Sequence, residues 1–236
     1  MHFLLKIGST LLFTAVLITG CNSSPSSSSS ESPSPSPIAA SPSPSATAAP
    51  ESPQPIQEEA PLISAQGMGA AQLGITLGEL KQQLGQDTEF LVKAPFIVDF
   101  DAIAVRKGGE TQYYILYLAG QSFADQDVIQ GVFTDNPKFR TAEGVGAGTT
   151  LQDAAQAYGQ ATLSYNTGNE SREYARFERQ PATNISFATG NGSTSTAGIY
   201  GSPVSEYNET ENYRAEATIQ SVLVVCLTDA CAPPSP

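Results

Sequence analysis

Two different spacings of apolar residues run along the chain beyond residue 61. In residues 74–88 (GITLGELKQQLGQDT), Leu77, Leu80 and Leu84 recur at i, i+3 and i+7, and in residues 148–162 (GTTLQDAAQAYGQAT) Leu151, Ala154 and Tyr158 do the same. That is the period of a helix with one apolar face. Thr76 with Glu79 three residues on, and Thr150 with Asp153, predict N-caps, and Gly85 and Gly159 predict left-handed stops. The pattern therefore predicts two short capped helices, each with a stripe that must pack on something.

After each helix the period becomes that of strands. The expected strands are Phe90–Lys93, Phe96–Arg106, Thr111–Leu118 and Val128–Phe133, then Thr162–Tyr165, Arg172–Phe177, Ile185–Phe187 and Ala217–Leu227. Arg106-Lys107-Gly108-Gly109-Glu110 reads as a hairpin turn. A Gly, Ser and Thr-rich stretch around 189–212 reads as a mobile loop.

The two helical segments are also related to each other. Gly74/Gly148, Thr76/Thr150, Leu77/Leu151, Gln82/Gln156, Gly85/Gly159, Gln86/Gln160 and Thr88/Thr162 are identical at an offset of 74, seven of fifteen positions without a gap. Ile129-Gln130-Gly131-Val132 is echoed by Ile219-Gln220-Ser221-Val222 at an offset of 90, and the 16 additional residues fit the insertion. The fold class expected is α+β, with two tandem units, 62–147 and 148–236, each a short helix packed on an antiparallel β-meander. Units this small bury little alone, so they are expected to share a core or a continuous sheet.

The order Gly-x-Thr, a turn of apolar-faced helix, Gly, then a meander, repeated, resembles the tandem modules of the β-lactamase inhibitor protein. It also resembles the single module of small lipoproteins in the outer-membrane barrel-assembly machinery. The likeness covers residues 74–88 and 148–162. It departs where those families have Met after the first Gly and Pro after the last, since this chain has Ile75, Thr149, Gln86 and Gln160. It implies a binding scaffold whose exposed sheet face meets another protein or the envelope, and no functional residue is carried across.

The amino terminus adds an address. Residues 1–20 hold Lys6, an apolar run from Ile7 to Ile18, then Thr19 and Gly20, the order of a secretory signal and too short for a span of roughly 20 residues. Ile18-Thr19-Gly20-Cys21 resembles the lipobox of bacterial lipoproteins, which implies cleavage before Cys21, acylation of that cysteine and membrane lipid as a partner. Residues 21–61 are mostly Ser, Pro and Ala, a composition that cannot offset the entropy of ordering, and read as a disordered tether. The expected place is the bacterial cell envelope, with the domain on the non-cytoplasmic side.

Charge and residue inventory then remove function classes. Residues 61–236 contain 19 acidic residues against 10 Lys and Arg, which argues against nucleic acid. The single histidine, His2, lies in the signal segment, so a mature chain has no imidazole for base catalysis or zinc. No cofactor, catalytic residue or metal ligand is assigned. Cys226 and Cys231 are left as a pair in an oxidising compartment; the expectation is a disulfide, with a redox pair or two metal ligands as alternatives.

Two groups of residues remain as sites. Arg172-Glu173-Tyr174-Ala175-Arg176-Phe177 alternates so that Arg172, Tyr174 and Arg176 face outward opposite Ala175 and Phe177, and Arg with Tyr is enriched at recognition hot spots. Tyr113 and Tyr117 share a face of the first unit and are expected to extend that patch. The leading expectation is a non-enzymatic, protein-binding or envelope-organising lipoprotein with an envelope protein or polymer as partner. The alternative is a hydrolase of envelope polymers working through Asp99 and Asp101 at i and i+2. Asp125 and Asp127 read as a turn.

Overall fold

In the computed structural model, residues 62–227 are described; the signal segment, Cys21, the tether and Cys231 lie outside them. The described chain opens with three two-residue strands, β1 (Ile63–Ser64), β2 (Gly67–Met68) and β3 (Ala71–Gln72), forming a small antiparallel sheet. Next come helix α1 (Leu77–Leu84) and strands β4 (Thr88–Ile97), β5 (Phe100–Lys107), β6 (Glu110–Leu118) and β7 (Gly131–Thr134). Helix α2 (Leu151–Tyr158) follows, with β8 (Ala161–Asn166), β9 (Arg172–Phe177), β10 (Ile185–Asn191), β11 (Tyr207–Thr210) and β12 (Ser221–Val225). The protein is α+β, with its sheets antiparallel.

The helices start where their caps require. Thr76 accepts from the Glu79 amide while the Glu79 carboxylate accepts from the Thr76 amide at 2.7 Å, a complete capping box. Thr150 accepts from the Asp153 amide at 3.0 Å, and the shorter Asp153 side chain accepts from the Thr150 hydroxyl instead of the backbone. Both helices stop at glycine, with φ 71° and ψ −171° at Gly85 and φ 84° and ψ −169° at Gly159. These are not the left-handed helical angles expected, but a region essentially confined to glycine.

Nine strands make one sheet in the order β11-β8-β9-β10-β12-β7-β6-β5-β4. Its centre is the pairing of β7 with β12, where Val132 faces Val224. Each helix entry is tied to the approach to one of these central strands. The Gly74 and Gly148 amides donate to the Ile129 and Ile219 carbonyls at 2.9 and 2.7 Å. The Leu77 and Leu151 amides donate to Asp127 and Ala217 at 3.0 and 2.9 Å. The residues that repeat at an offset of 74 thus bond to residues that repeat at an offset of 90.

One face of the sheet carries the main core. Leu77 and Leu80 of α1, Leu151, Ala154 and Tyr158 of α2, and Ile63, Met68 and Ala71 of the small sheet bury against Ile103, Ile115, Val132, Val224, Phe187, Ala175 and Leu163. The strand expected at Phe96–Arg106 is divided, because Val98 and Asp99 form the turn between β4 and β5. The hairpin at Gly108-Gly109 forms as expected, with φ of 60° and 82°. The stretch read as a mobile loop carries β11, which pairs with β8 at the sheet edge. Among the described residues, no helix is long and apolar enough to cross a membrane.

Candidate interaction face

Strand alternation puts a second set of side chains on the face away from the helices. One cross-strand row runs Ser186, Leu223, Phe133, Tyr114, Ala104 and Leu91, and beside it runs Ser164, Tyr174, Ala188 and Ser221. Ala102, Ala104 and Leu116 are buried there without belonging to the core on the helical side. Register shifts between Lys93 and Ile97, and Phe96 folds onto this face, its ring 4.6 Å from that of Tyr114 and 5.6 Å from that of Phe133. Tyr114 and Phe133 meet edge to face at 5.8 Å, completing a three-ring cluster. Burial, with Asp135 nearby, raises the Tyr114 phenol above its ordinary pKa.

The sheet curls toward this face. Strands β5 and β9 are five places apart, about 24 Å in a flat sheet at the usual strand spacing of about 4.8 Å. Yet Nη2 of Arg172, at the start of β9, lies 3.5 Å from Oδ2 of Asp99, in the turn before β5. Twist accumulated over the intervening strands brings these corners together and makes the helix-free face concave. Nε of Arg172 also lies 3.1 Å from Glu170, so its guanidinium bridges two carboxylates.

Arg172, Tyr174 and Arg176 face this concavity, as alternation predicts, opposite buried Glu173, Ala175 and Phe177. Tyr113 and Tyr117 do not join them. They share the parity of Ile115, which faces the helices, and Tyr113 is only 3% exposed. The Tyr113 ring packs edge to face on Phe139 at 5.6 Å, and burial raises its phenol well above the ordinary pKa. Tyr117 stacks on Phe123 at 5.3 Å. The patch on β6 is instead supplied by Tyr114, one residue out of phase with the pair expected.

The carboxylates have structural partners. Asp101 is buried on the helical side and accepts from the Gly120 amide at 2.9 Å, whereas Asp99 is exposed in its turn on Arg172. Asp127 accepts from the Ala124 amide at 2.6 Å and Asp125 meets Lys81 at 2.6 Å, consistent with a turn. Cys226 is disulfide-bonded; the expected partner, Cys231, lies outside the described residues. No group of three or more His, Cys, Asp or Glu that would hold a metal occurs among the described residues.

A further polar site went unpredicted. Glu173 is 0% exposed, and its carboxylate accepts from the Ala197 amide (2.7 Å), the Gly198 amide (2.9 Å), the Thr189 hydroxyl (3.0 Å) and the Tyr200 hydroxyl (2.7 Å). Burial, then the Glu173 hydrogen bond and charge, raises the Tyr200 phenol far above its ordinary pKa. A Cβ on Gly190 would lie 2.4 Å from the Ser195 carbonyl and 2.8 Å from Glu173, so only glycine leaves room for this cage. The signal was available in the sequence, because the alternation that turns Arg172 and Tyr174 outward turns Glu173 inward.

No known protein-family profile matches the chain, and no curated protein matches it in sequence. Among solved structures it is similar to the uncharacterized protein yfeY from Escherichia coli, at 14% identity and a TM-score of 0.43, over 70% of this chain and 99% of that one. A likeness at that level carries no argument about fold or function.

Proposed function

We propose that this chain is a lipid-anchored envelope protein with no catalytic role, which uses the concave face of its sheet to bind another protein. The observation that carries the reading is the makeup of that face: three clustered rings, Phe96, Tyr114 and Phe133, flanked by Tyr174, Arg172 and Arg176. Aromatic and Arg side chains are the ones that most often dominate binding energy when water is excluded. The domain is two tandem units, helix α1 with β4–β7 and helix α2 with β8–β12. Their matched bonds from Gly74 and Gly148 to the approaches of β7 and β12 support the duplication, and joining through those two strands gives one continuous face. Acylated Cys21 holds the domain at a membrane on the non-cytoplasmic side, and residues 21–61 give it reach.

Photo-crosslinking in living cells tests this. A reactive residue replacing Arg176 or Ser186 on the concave face should give a discrete protein adduct, and one replacing Gln83 on α1 should give none. Combining Arg172→Glu with Tyr174→Ala should remove the adduct while leaving the circular dichroism spectrum unchanged. The same protein weighed intact should begin at Cys21 and carry acyl chains. Equal adducts from both faces, or an unmodified amino terminus, would defeat the reading.

A further inference from the structure

Strand β4 ends the sheet, so one side of its backbone has no strand beside it among the described residues. Edges of this kind are ordinarily short or blunted by charge and proline, because an open row of amide and carbonyl groups invites another strand. β4 has ten residues and stays exposed along Leu91–Pro95; Leu91 is 39% and Val92 67% exposed. The opposite edge, β11, has four.

The order of residues in β4 matches that of a second copy run the other way. Thr88 opens the strand and Pro95, which has no amide to donate, closes the stretch able to pair. The seven residues between these limits, Thr88–Ala94, are centred on Leu91. Two such strands laid antiparallel about that centre place Leu91 opposite Leu91, Phe90 opposite Val92, and Glu89 opposite Lys93, each of the last two pairs occurring twice. Opposite charges and apolar side chains facing across a ladder are the pairs that stabilise it, and like charges there destabilise it. Lys93, which on an unmatched edge would repel a visiting strand, here meets a carboxylate.

We infer that the β4 edge is a self-association surface, at which two copies of this chain join antiparallel about Leu91 into one continuous sheet. Glu89, Leu91 and Lys93 have the parity of the residues facing the concavity, since Leu91 pairs with Ala104 and Glu89 with Arg106. Pairing would therefore run two concave faces together. The inference is independent of what those faces bind.

The test is disulfide trapping on the purified full-length chain, with the parent giving the background from its own cysteines. Directly opposed residues have Cβ atoms about 4.5–5.5 Å apart, close to disulfide range, so Leu91→Cys should give a dimer-mass band under mild oxidation. Val98→Cys, 71% exposed at the same corner but outside the paired stretch, should stay near background. Adding Lys93→Glu to Leu91→Cys should reduce the band several-fold, and adding Glu89→Lys as well should restore it. Glu89 also meets Arg106 within each chain at 3.2 Å, so thermal melts of every variant verify that the fold persists. Equal trapping at Leu91 and Val98, no trapping at Leu91, or a band indifferent to the charge swap would overturn the pairing.

Discussion

At one end of the sheet the last strand is β11, in the insertion after β10, whose residues 197–200 are held by the buried Glu173 carboxylate; at the other end β4 has no strand beside it among the described residues. The insertion end has a four-residue edge, a filled polar cage around Glu173, and Tyr165 packed edge to face on Tyr200 at 4.7 Å. The open end has Leu91, Val92, Val98 and Leu118 exposed at its corner. Similar arrangements of helix and strands therefore differ in how they terminate: the finished end invests in internal polar bonds, and the unfinished end keeps apolar and backbone groups facing water.

The sharpest way to break this contrast is to empty the cage. Glu173→Ala strands two amides and two hydroxyls that the carboxylate now accepts, at about 1–3 kcal/mol for a buried group left unpaired. With some relaxation the expected loss is roughly 3–5 kcal/mol, measured by chemical denaturation. Hydrogen exchange should rise first in residues 192–214, with the β4 end changing last; a uniform rise would dissolve the distinction between the ends.

A milder probe is alkali. The half-buried Tyr200 phenol has its pKa raised above the ordinary 10.0 in the folded chain, so the unfolded chain releases that proton first. The stability this contributes is whole below pH 10 and declines as pH rises beyond it. Denaturation midpoints should therefore fall between pH 9 and pH 11, and by less in Tyr200→Phe. Tyr113, Tyr158, Tyr114 and Tyr117, raised by burial in the same direction, add to the slope that remains.

Smallest of all should be the effect of Val92→Asp on stability, within about 0.5 kcal/mol because that side chain is 67% exposed. A loss comparable to that of Glu173→Ala would mean that the β4 edge is structural after all.

Much of the scaffold was legible because its periods are strong. The caps at Thr76 and Thr150, both helices and the turn at Gly108-Gly109 follow from local rules with few competing solutions. The small sheet at residues 63–72 was not, since two-residue strands are too short for alternation to show. Phe96–Arg106 read as one strand because Val98 and Asp99 interrupt an apolar run without a glycine to mark the turn. At the site, alternation puts Arg172, Tyr174 and Arg176 on the face away from the helices, as found, but the outward position expected of Tyr113 and Tyr117 belongs to Tyr114. Deciding which parity faces the helices needs a tertiary reference point, and a sheet with apolar residues on both faces hides it. Phe96 reaches the cluster only through the register shift after Lys93, which spacing does not reveal.

The contact between Arg172 and Asp99 sets the aperture of the concave face, and it is a flimsy latch. Exposed ion pairs contribute less than about 1 kcal/mol, so this contact itself adds little resistance to a change in the spacing of the two rims. A partner bound there as we propose need not match one fixed width, because the mouth rests on one weak contact and the floor on packed rings.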